Sequence, residues 1–136
     1  MSAAERSRAD RFRAAIAEWN EHGIQAIERR WHEDAVWEEP SGFPDADTRR
    51  GREAVFDRMR DRFAFLGVVE LEIVEVEEIG DRLYSEMIVR GRGAASGAPA
   101  EMHSFWVYDY AEDGRIIRWR EFLSREEALA AVRQAE

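Results

Sequence analysis

The chain has 136 residues, of which 45% are hydrophobic and 36% charged, and this length and composition predict one globular domain over residues 1–136. Its formal net charge of −9 argues against nucleic acid and anionic membranes as partners, because both are bound through lysine and arginine. Without cysteine, disulfides and thiolate metal sites are excluded, and residues 1–6 lack the apolar centre of a signal peptide, so a cytoplasmic location is expected by default.

The first third of the chain predicts two helices and a short strand. Apolar residues at helical spacing from about residue 7 to 20 indicate an amphipathic helix. After Gly23 a second helix is predicted, with Ile24, Ile27 and Trp31 on one side. A strand around residues 36–39 follows, and Pro40 ends it because proline cannot donate to a sheet ladder.

A loop rich in proline, glycine and aspartate is predicted over residues 40–51, followed by a third helix from Arg52 to about Leu66. The apolar stripe of this helix is Phe56, Met59, Phe63 and Leu66. Its remaining sides are charged, and we interpret them as a solvated face whose ion pairs contribute little individually. These charged residues are Asp57, Arg58, Arg60, Asp61 and Arg62.

The second half of the chain predicts strands joined by hairpins. Residues 68–79 alternate, and a change of parity near Ile73 and Val74 predicts a β-bulge. Gly80-Asp81 and Asp113-Gly114 predict hairpin turns. The other predicted strands cover about residues 83–90, 101–110 and 115–123, with a loop of small residues over 91–100. Ser124 and Glu127 fit a capping box that opens a short C-terminal helix.

This order predicts an α+β domain in which helices lie on one face of a curved antiparallel sheet and leave a concave end for a pocket. Trp37 and Glu39 share one face of the first strand. The last strand repeats the pattern with Ile117, Trp119, Glu121 and Leu123. We expect these two strands to face one cavity.

The element order, with the segments HEDAVWEEPSGFPDADTRRGREAV and DGRIIRWREFLSREEAL, resembles the nuclear transport factor 2-like superfamily and, within it, the SnoaL-like branch. That branch includes polyketide cyclases, and ketosteroid isomerases and limonene epoxide hydrolases are its relatives. The resemblance covers nearly the whole chain. It implies a cone-shaped sheet wrapped around N-terminal helices, a deep apolar pocket and a homodimer built on the outer sheet face. Members include enzymes, binding proteins and scaffolds, so the function depends on the site.

The resemblance also assigns places to single residues. Glu39 falls where ketosteroid isomerases hold their general base, and Glu121 falls where the cyclases and epoxide hydrolases keep an aspartate used as acid or base. Ala15 and Trp106 fall where ketosteroid isomerases keep the tyrosine and the acid of the oxyanion hole, so these two donors are replaced. Glu86 is a further candidate acid if its strand has the matching register.

A carboxylate surrounded by indoles loses hydration, which raises its pKa toward the range of a general acid or base. We therefore predict Glu39 and Glu121 as catalytic residues; the alternatives are a rim residue and a buried partner of an arginine or an indole. The predicted ligand-binding residues are Trp19, Trp37, Trp106, Tyr108 and Trp119. Among the three histidines no metal motif is present, and His103 faces outward if Trp106 faces inward.

The hypothesis that follows is a small-molecule enzyme that isomerises, cyclises or hydrates an apolar, cyclic or carbonyl-bearing ligand without a metal or nucleotide cofactor. The alternative is a non-catalytic homodimer that binds a ligand or a partner protein. A cavity that is filled by tryptophans, or that no carboxylate reaches, would favour the alternative.

Overall fold

The computed structural model describes residues 7–43, 45–92 and 97–134, and of Val69 only the backbone. Residues 1–6, which bear on the signal peptide, and residues 93–96 of the predicted loop lie outside this description. The helices are α1 (Arg8–His22), a 3₁₀ helix (Ile24–Arg30), α2 (Arg52–Leu66) and α3 (Arg125–Val132). The strands are β1 (Trp31–Glu38), β2 (Thr48–Arg50), β3 (Val68–Ile79), β4 (Arg82–Arg92), β5 (Pro99–Tyr110) and β6 (Ile116–Phe122).

Side chains and glycines set the ends of the helices. Ser7 caps α1 by accepting a hydrogen bond from the backbone N–H of Asp10 at 3.1 Å. Ser124 caps α3 in the same way from the N–H of Glu127 at 3.3 Å, which is one half of the predicted capping box. Gly67 ends α2 in the left-handed conformation, where a Cβ would collide with the backbone carbonyl of Arg92.

The six strands form one curved, unclosed sheet in the order β2-β1-β6-β5-β4-β3. Neighbouring strands are antiparallel except β1 and β6, which run parallel. The predicted bulge is confirmed, because the pairing of β3 with β4 shifts between Ile73 and Glu75. The α+β class predicted from the sequence is therefore confirmed, with one parallel pair in a sheet expected to be antiparallel.

Three local predictions differ from the structure. The first strand begins at Trp31 rather than near Val36, because the second helix is a short 3₁₀ helix that ends at Arg30. The edge strand β2 lies in the predicted loop; its three polar residues carry no alternation that would reveal it. Ile116, not Ile117, packs in the inner core, because the pairing of β5 with β6 shifts between Asp109 and Tyr110.

Apolar residues pack on both faces of the sheet. The inner face, covered by α1 and α2, holds the main core, which includes all five tryptophans. On the outer face, α3 packs Ala128 and Val132 against Tyr84, Phe105 and Val107. The protein therefore covers part of its own outer face, where the resemblance implies a dimer contact. Among the described helices, none is long and apolar enough to cross a membrane.

Candidate functional site

The two predicted acids come together at one arginine in the inner core. Arg62 of α2 donates from its two terminal nitrogens to the two carboxylate oxygens of Glu121, at 2.8 and 3.0 Å. The same guanidinium lies 3.7 Å from Oε1 of Glu39, which follows β1 directly. The residue after β1, the strand β6 and the helix α2 thus each supply one charged group to a single cluster. We call it the Arg62 cluster, which consists of Glu39, Arg62 and Glu121 with their hydrogen-bond partners.

The carboxylate of Glu39 is enclosed by donors. Its side chain is 0% exposed, although the residue as a whole is half-buried. Arg58 donates to Oε1 at 3.0 Å, and Arg49 donates to Oε2 at 2.9 Å. The backbone N–H of Asp47 donates to Oε2 at 3.3 Å. Guanidinium groups thus replace the purely aromatic surroundings that the sequence suggested for this acid.

Glu121 is also hydrogen-bonded at both oxygens. Besides Arg62, the hydroxyl of Ser104 donates to its Oε2 at 2.7 Å. The indole N–H of Trp106 donates in turn to the Ser104 oxygen at 2.8 Å. Ser104 was not predicted; the available signal was its parity with Trp106 on β5, which places both on the inner face. The acid at β6 therefore belongs to a chain of three hydrogen-bonded side chains.

The interpretation of the α2 charges as a solvated face is wrong for two of them. Arg62 is 6% exposed, and its guanidinium lies 3.9 Å from the ring centre of Phe43 and 5.1 Å from that of Trp37. Arg58 lies one turn earlier on the same face of α2. A pair of acids inside the sheet requires buried cations, so Glu39 and Glu121 were themselves the signal that these arginines turn inward.

The tryptophans fill much of the space between the sheet and the helices. The rings of Trp37 and Trp119 are stacked with their centres 4.4 Å apart. Trp106 packs edge-on against Trp119, with a distance of 5.1 Å between the ring centres. Trp19 packs edge-on against Phe63 of α2 at 5.8 Å. None of these four indoles is among the residues that line the cavities described below, so a ligand-binding role for them stays a prediction.

A cavity of about 270 Å³ lies at the other end of the inner face, between α1, the 3₁₀ helix and the turn that joins β5 to β6. Tyr108, which was predicted to bind ligand, lines it. We call it the α1 cavity. Its apolar lining is Phe12, Ala15, Ile16, Ile27, Trp31 and Ile116. Its polar lining, besides Tyr108, is Arg11, Arg30, Tyr110, Asp113 and Arg115.

Tyr108 is the most buried of the polar residues that line the α1 cavity. The residue is 5% exposed, and burial raises the pKa of its phenol well above the usual value. No hydrogen bond reaches this hydroxyl from any residue in the described ranges. The phenol therefore stays a neutral donor with unused hydrogen-bonding capacity.

Two further cavities flank the Arg62 cluster. One, of about 340 Å³, is lined by Phe43, Arg58, Arg62, Phe65 and Leu66 among others, and Phe65 is 78% exposed. The other, of about 440 Å³, is lined by residues that include both acids. Since the side chains of the two acids are 0% and 3% exposed, their carboxylates are closed to solvent in this arrangement.

The remaining candidates lie elsewhere. Glu86 and His103 face outward and approach each other to 3.3 Å on the outer face, so the parity that placed His103 opposite to Trp106 is confirmed. Neither takes part in the Arg62 cluster. Within the described part of the chain, no three histidine, aspartate or glutamate side chains are grouped as a metal site.

This fold, a curved sheet wrapped over N-terminal helices, is that of the nuclear transport factor 2-like superfamily, as the resemblance implied. Residues 12–119 match the SnoaL-like domain family, and the chain belongs to it. No curated protein matches the chain.

Solved structures share the fold at low identity. TerC, co-crystallised with polyporic acid, has a TM-score of 0.72 and 18% identity, and the match covers 93% of this chain and 98% of that chain. SalBIII, an epoxide hydrolase/cyclase-like enzyme of pyran ring formation in salinomycin, has a TM-score of 0.71 and 18% identity. The match covers 88% of this chain and 92% of SalBIII. A Catenulispora acidiphila protein with a ketosteroid isomerase-like fold, in complex with trimethylamine, has a TM-score of 0.68 and 18% identity, and the match covers 88% of each chain.

Proposed function

We propose that this protein binds a small, largely apolar, cyclic ligand in the α1 cavity and that Tyr108 donates a hydrogen bond to a carbonyl or similar oxygen of that ligand. The observation that carries the proposal is the side chain of Tyr108, which is 5% exposed and lines the α1 cavity beside its apolar residues, with a hydroxyl that no described residue hydrogen-bonds. A hydroxyl at the wall of an apolar cavity can exchange a hydrogen bond to water for one to a ligand oxygen, and such a bond contributes about 1 kcal/mol. The co-crystal of TerC with polyporic acid supports a ligand of this type.

Two probes that share a naphthalene ring test this role of Tyr108. 2-Acetonaphthone carries a carbonyl and naphthalene does not. We expect the wild type to bind the ketone, measured by isothermal titration calorimetry, and Tyr108→Phe to weaken ketone binding about fivefold, the value of one neutral hydrogen bond. Naphthalene binding should stay within about twofold, since only apolar contacts are involved. Equal losses for the two probes, or no binding of either, would contradict the proposal.

We propose acid–base chemistry as the second candidate function, with Glu39 moving a proton and Glu121 as the second acid or base in an isomerisation, cyclisation or hydration that needs no cofactor. Its support is the contact of both acids with Arg62, beside the cavity that Arg58 and Arg62 line. Trp37, Trp106 and Trp119 would shape this site. Because every carboxylate oxygen already accepts a hydrogen bond, turnover would require Arg58 or Arg62 to move first.

Isomerisation of a β,γ-unsaturated ketone to its conjugated form tests this second candidate. The base removes the α-proton and returns it at the γ-carbon, so the reaction is balanced without a co-reactant. We expect Glu39→Gln to abolish the absorbance change of conjugation and the exposed Glu112→Gln to keep it. Wild-type protein that is no faster than buffer, or Glu39→Gln with full activity, would exclude this role.

We further propose a homodimer through the part of the outer face that α3 leaves uncovered. There Arg118 pairs with Glu38 at 2.7 Å, and the two side chains are 32% and 37% exposed. Charged groups that are already paired can be buried in an interface at lower cost than unpaired ones. Sedimentation equilibrium measures the molecular mass in solution. A mass of two chains would support the dimer, and a mass of one chain would contradict it.

A further inference from the structure

We infer that the ligand of the α1 cavity is an aromatic or alicyclic acid, bound with its ring among the apolar walls and its anionic group at the arginines of the rim. This inference rests on the proposed binding function and adds the charge of the ligand to it.

The polar lining of the α1 cavity contains more cations than anions, although the chain as a whole is acidic. Arg11, Arg30 and Arg115 line it together with the carboxylate of Asp113, and Glu18 pairs with Arg30 beside it, so three guanidinium groups face two carboxylates. The whole chain carries a formal net charge of −9, so a local excess of guanidinium groups runs against its average. Beside a low-dielectric wall, such an excess attracts anions more strongly than it would in open water.

The internal ion pairs do not use up the donors of Arg115 and Arg30. The Nε of Arg115 donates a hydrogen bond to a carboxylate oxygen of Asp113 at 2.7 Å. The Nε and Nη2 of Arg30 contact a carboxylate oxygen of Glu18 at 2.8 and 2.7 Å. A guanidinium has five N–H donors, so each side chain keeps further donors beyond its pair. Their side chains are 32% and 25% exposed, which leaves both within reach of a ligand at the rim.

Arg11 brings a third guanidinium to the same rim from α1. It lies 6.0 Å from the ring centre of Tyr110 and within 3.8 Å of the position that a Cβ on Gly114 would take. Hence α1 and the turn between β5 and β6 each contribute cations to one opening. Two elements far apart in sequence are needed to build this cluster, which distinguishes it from a run of like charges on one helix.

The cavity is polarised along its depth. The phenol of Tyr108 is buried, whereas the arginines and Asp113 are partly exposed. A ligand with a hydrogen-bond acceptor at its inner end, a ring in the middle and an acid at its outer end satisfies both sets of groups. Fork-shaped guanidinium groups suit carboxylates, which they can bind through two parallel hydrogen bonds.

Calorimetric titrations with 6-acetyl-2-naphthoate and 2-acetonaphthone test the inference, because the two probes share the naphthalene ring and the ketone and differ by a carboxylate at the opposite end of the ring. We expect the naphthoate to bind at least about threefold more tightly at low salt, with this advantage shrinking at high salt. Arg11→Gln and Arg115→Gln should each weaken naphthoate binding about three- to tenfold and change ketone binding less than about twofold. Arg90→Gln is the matched control, since the Arg90 side chain is 31% exposed, makes ion pairs and lies away from the cavity.

The outcomes separate the two proposals. Equal affinities for the two probes, independent of salt and of both arginine substitutions, would overturn the anionic ligand and leave the binding function intact. Failure of both probes to bind would overturn the binding function and, with it, this inference. The salt dependence of the wild type gives an answer even if a substituted protein does not fold.

Discussion

The guanidinium of Arg62 lies under the ring of Phe43 and pairs with Glu121 through both terminal nitrogens. Because the Glu121 side chain is only 3% exposed, water cannot replace this partner if Arg62 is removed. A buried ion pair adds little relative to apolar packing, but breaking it leaves an uncompensated charge. Among the residues of the Arg62 cluster, Arg62 should therefore cost the most stability when it is replaced.

Arg62→Met should lower the free energy of unfolding by about 3–5 kcal/mol, because Glu121 would keep only Ser104 as a partner. Urea titration followed by fluorescence measures this change. The control is Arg13→Met, whose pair with Asp10 is exposed and whose loss should cost under about 0.5 kcal/mol. Adding Glu121→Leu to Arg62→Met should recover part of the loss. A loss below about 1 kcal/mol for Arg62→Met would contradict a cluster held by this residue.

The three tyrosines give a prediction for alkaline pH. Burial raises the pKa of Tyr84 and Tyr110, and raises that of Tyr108 well above its usual value of about 10. The folded form thus holds these protons while the unfolded form releases them, so stability is complete below about pH 10 and falls as pH rises above it. We expect near-ultraviolet absorbance to show tyrosinate appearing together with unfolding. Smooth ionisation of the folded protein with a midpoint near pH 10 would contradict the burial of these rings.

At the scale of elements, α3 is held to the outer face by a buried arginine as well as by packing. Arg82 of β4 donates to the backbone carbonyls of Ala131, Val132 and Gln134 at the end of the helix. A cation at a helix C-terminus also interacts favourably with the helix dipole. The helix thus covers Tyr84 and neighbouring apolar residues that would otherwise be exposed.

Ala128→Asp tests the docking of α3. Ala128 is 0% exposed against the sheet, so a carboxylate there would be buried without a partner and should lower the free energy of unfolding by about 3 kcal/mol or more. Ala130→Asp places the same side chain on the exposed side of the same helix and should lower it by about 1 kcal/mol or less, through helix propensity and the helix dipole alone. Urea unfolding compares the two variants. Similar stabilities would mean that α3 does not pack as described.

The elements also show what the sequence can and cannot reveal. The bulge in β3 was predictable because a change of parity is visible in the alternation of apolar and polar residues along the strand. The displacement that buries Ile116 was not, because two adjacent isoleucines fit either register. The convergence of Glu39 and Glu121 followed from strand parity, whereas Arg62 and Ser104 depend on contacts between elements distant in sequence. Hydrophobic periodicity does not encode such polar pairings.

At the scale of the whole molecule, the inner face is divided between two environments. The Arg62 cluster and the tryptophans occupy one end with satisfied ion pairs and close aromatic packing. At the other end the α1 cavity is open, and it is lined by Tyr108 and three arginines. The part of the inner face that stabilises the fold is therefore separate from the part that we propose to bind a ligand.

Blocking the α1 cavity is the most direct test of this account, and Ala15→Phe does so because Ala15 is 8% exposed and lines the cavity wall. Ala17→Phe adds the same ring to the exposed side of the same helix and serves as the control. Calorimetric titration with 2-acetonaphthone should show binding to the wild type and to Ala17→Phe, and at least about tenfold weaker binding to Ala15→Phe. Equal affinity of the two folded variants for the ketone would contradict the proposal that this cavity is the ligand site.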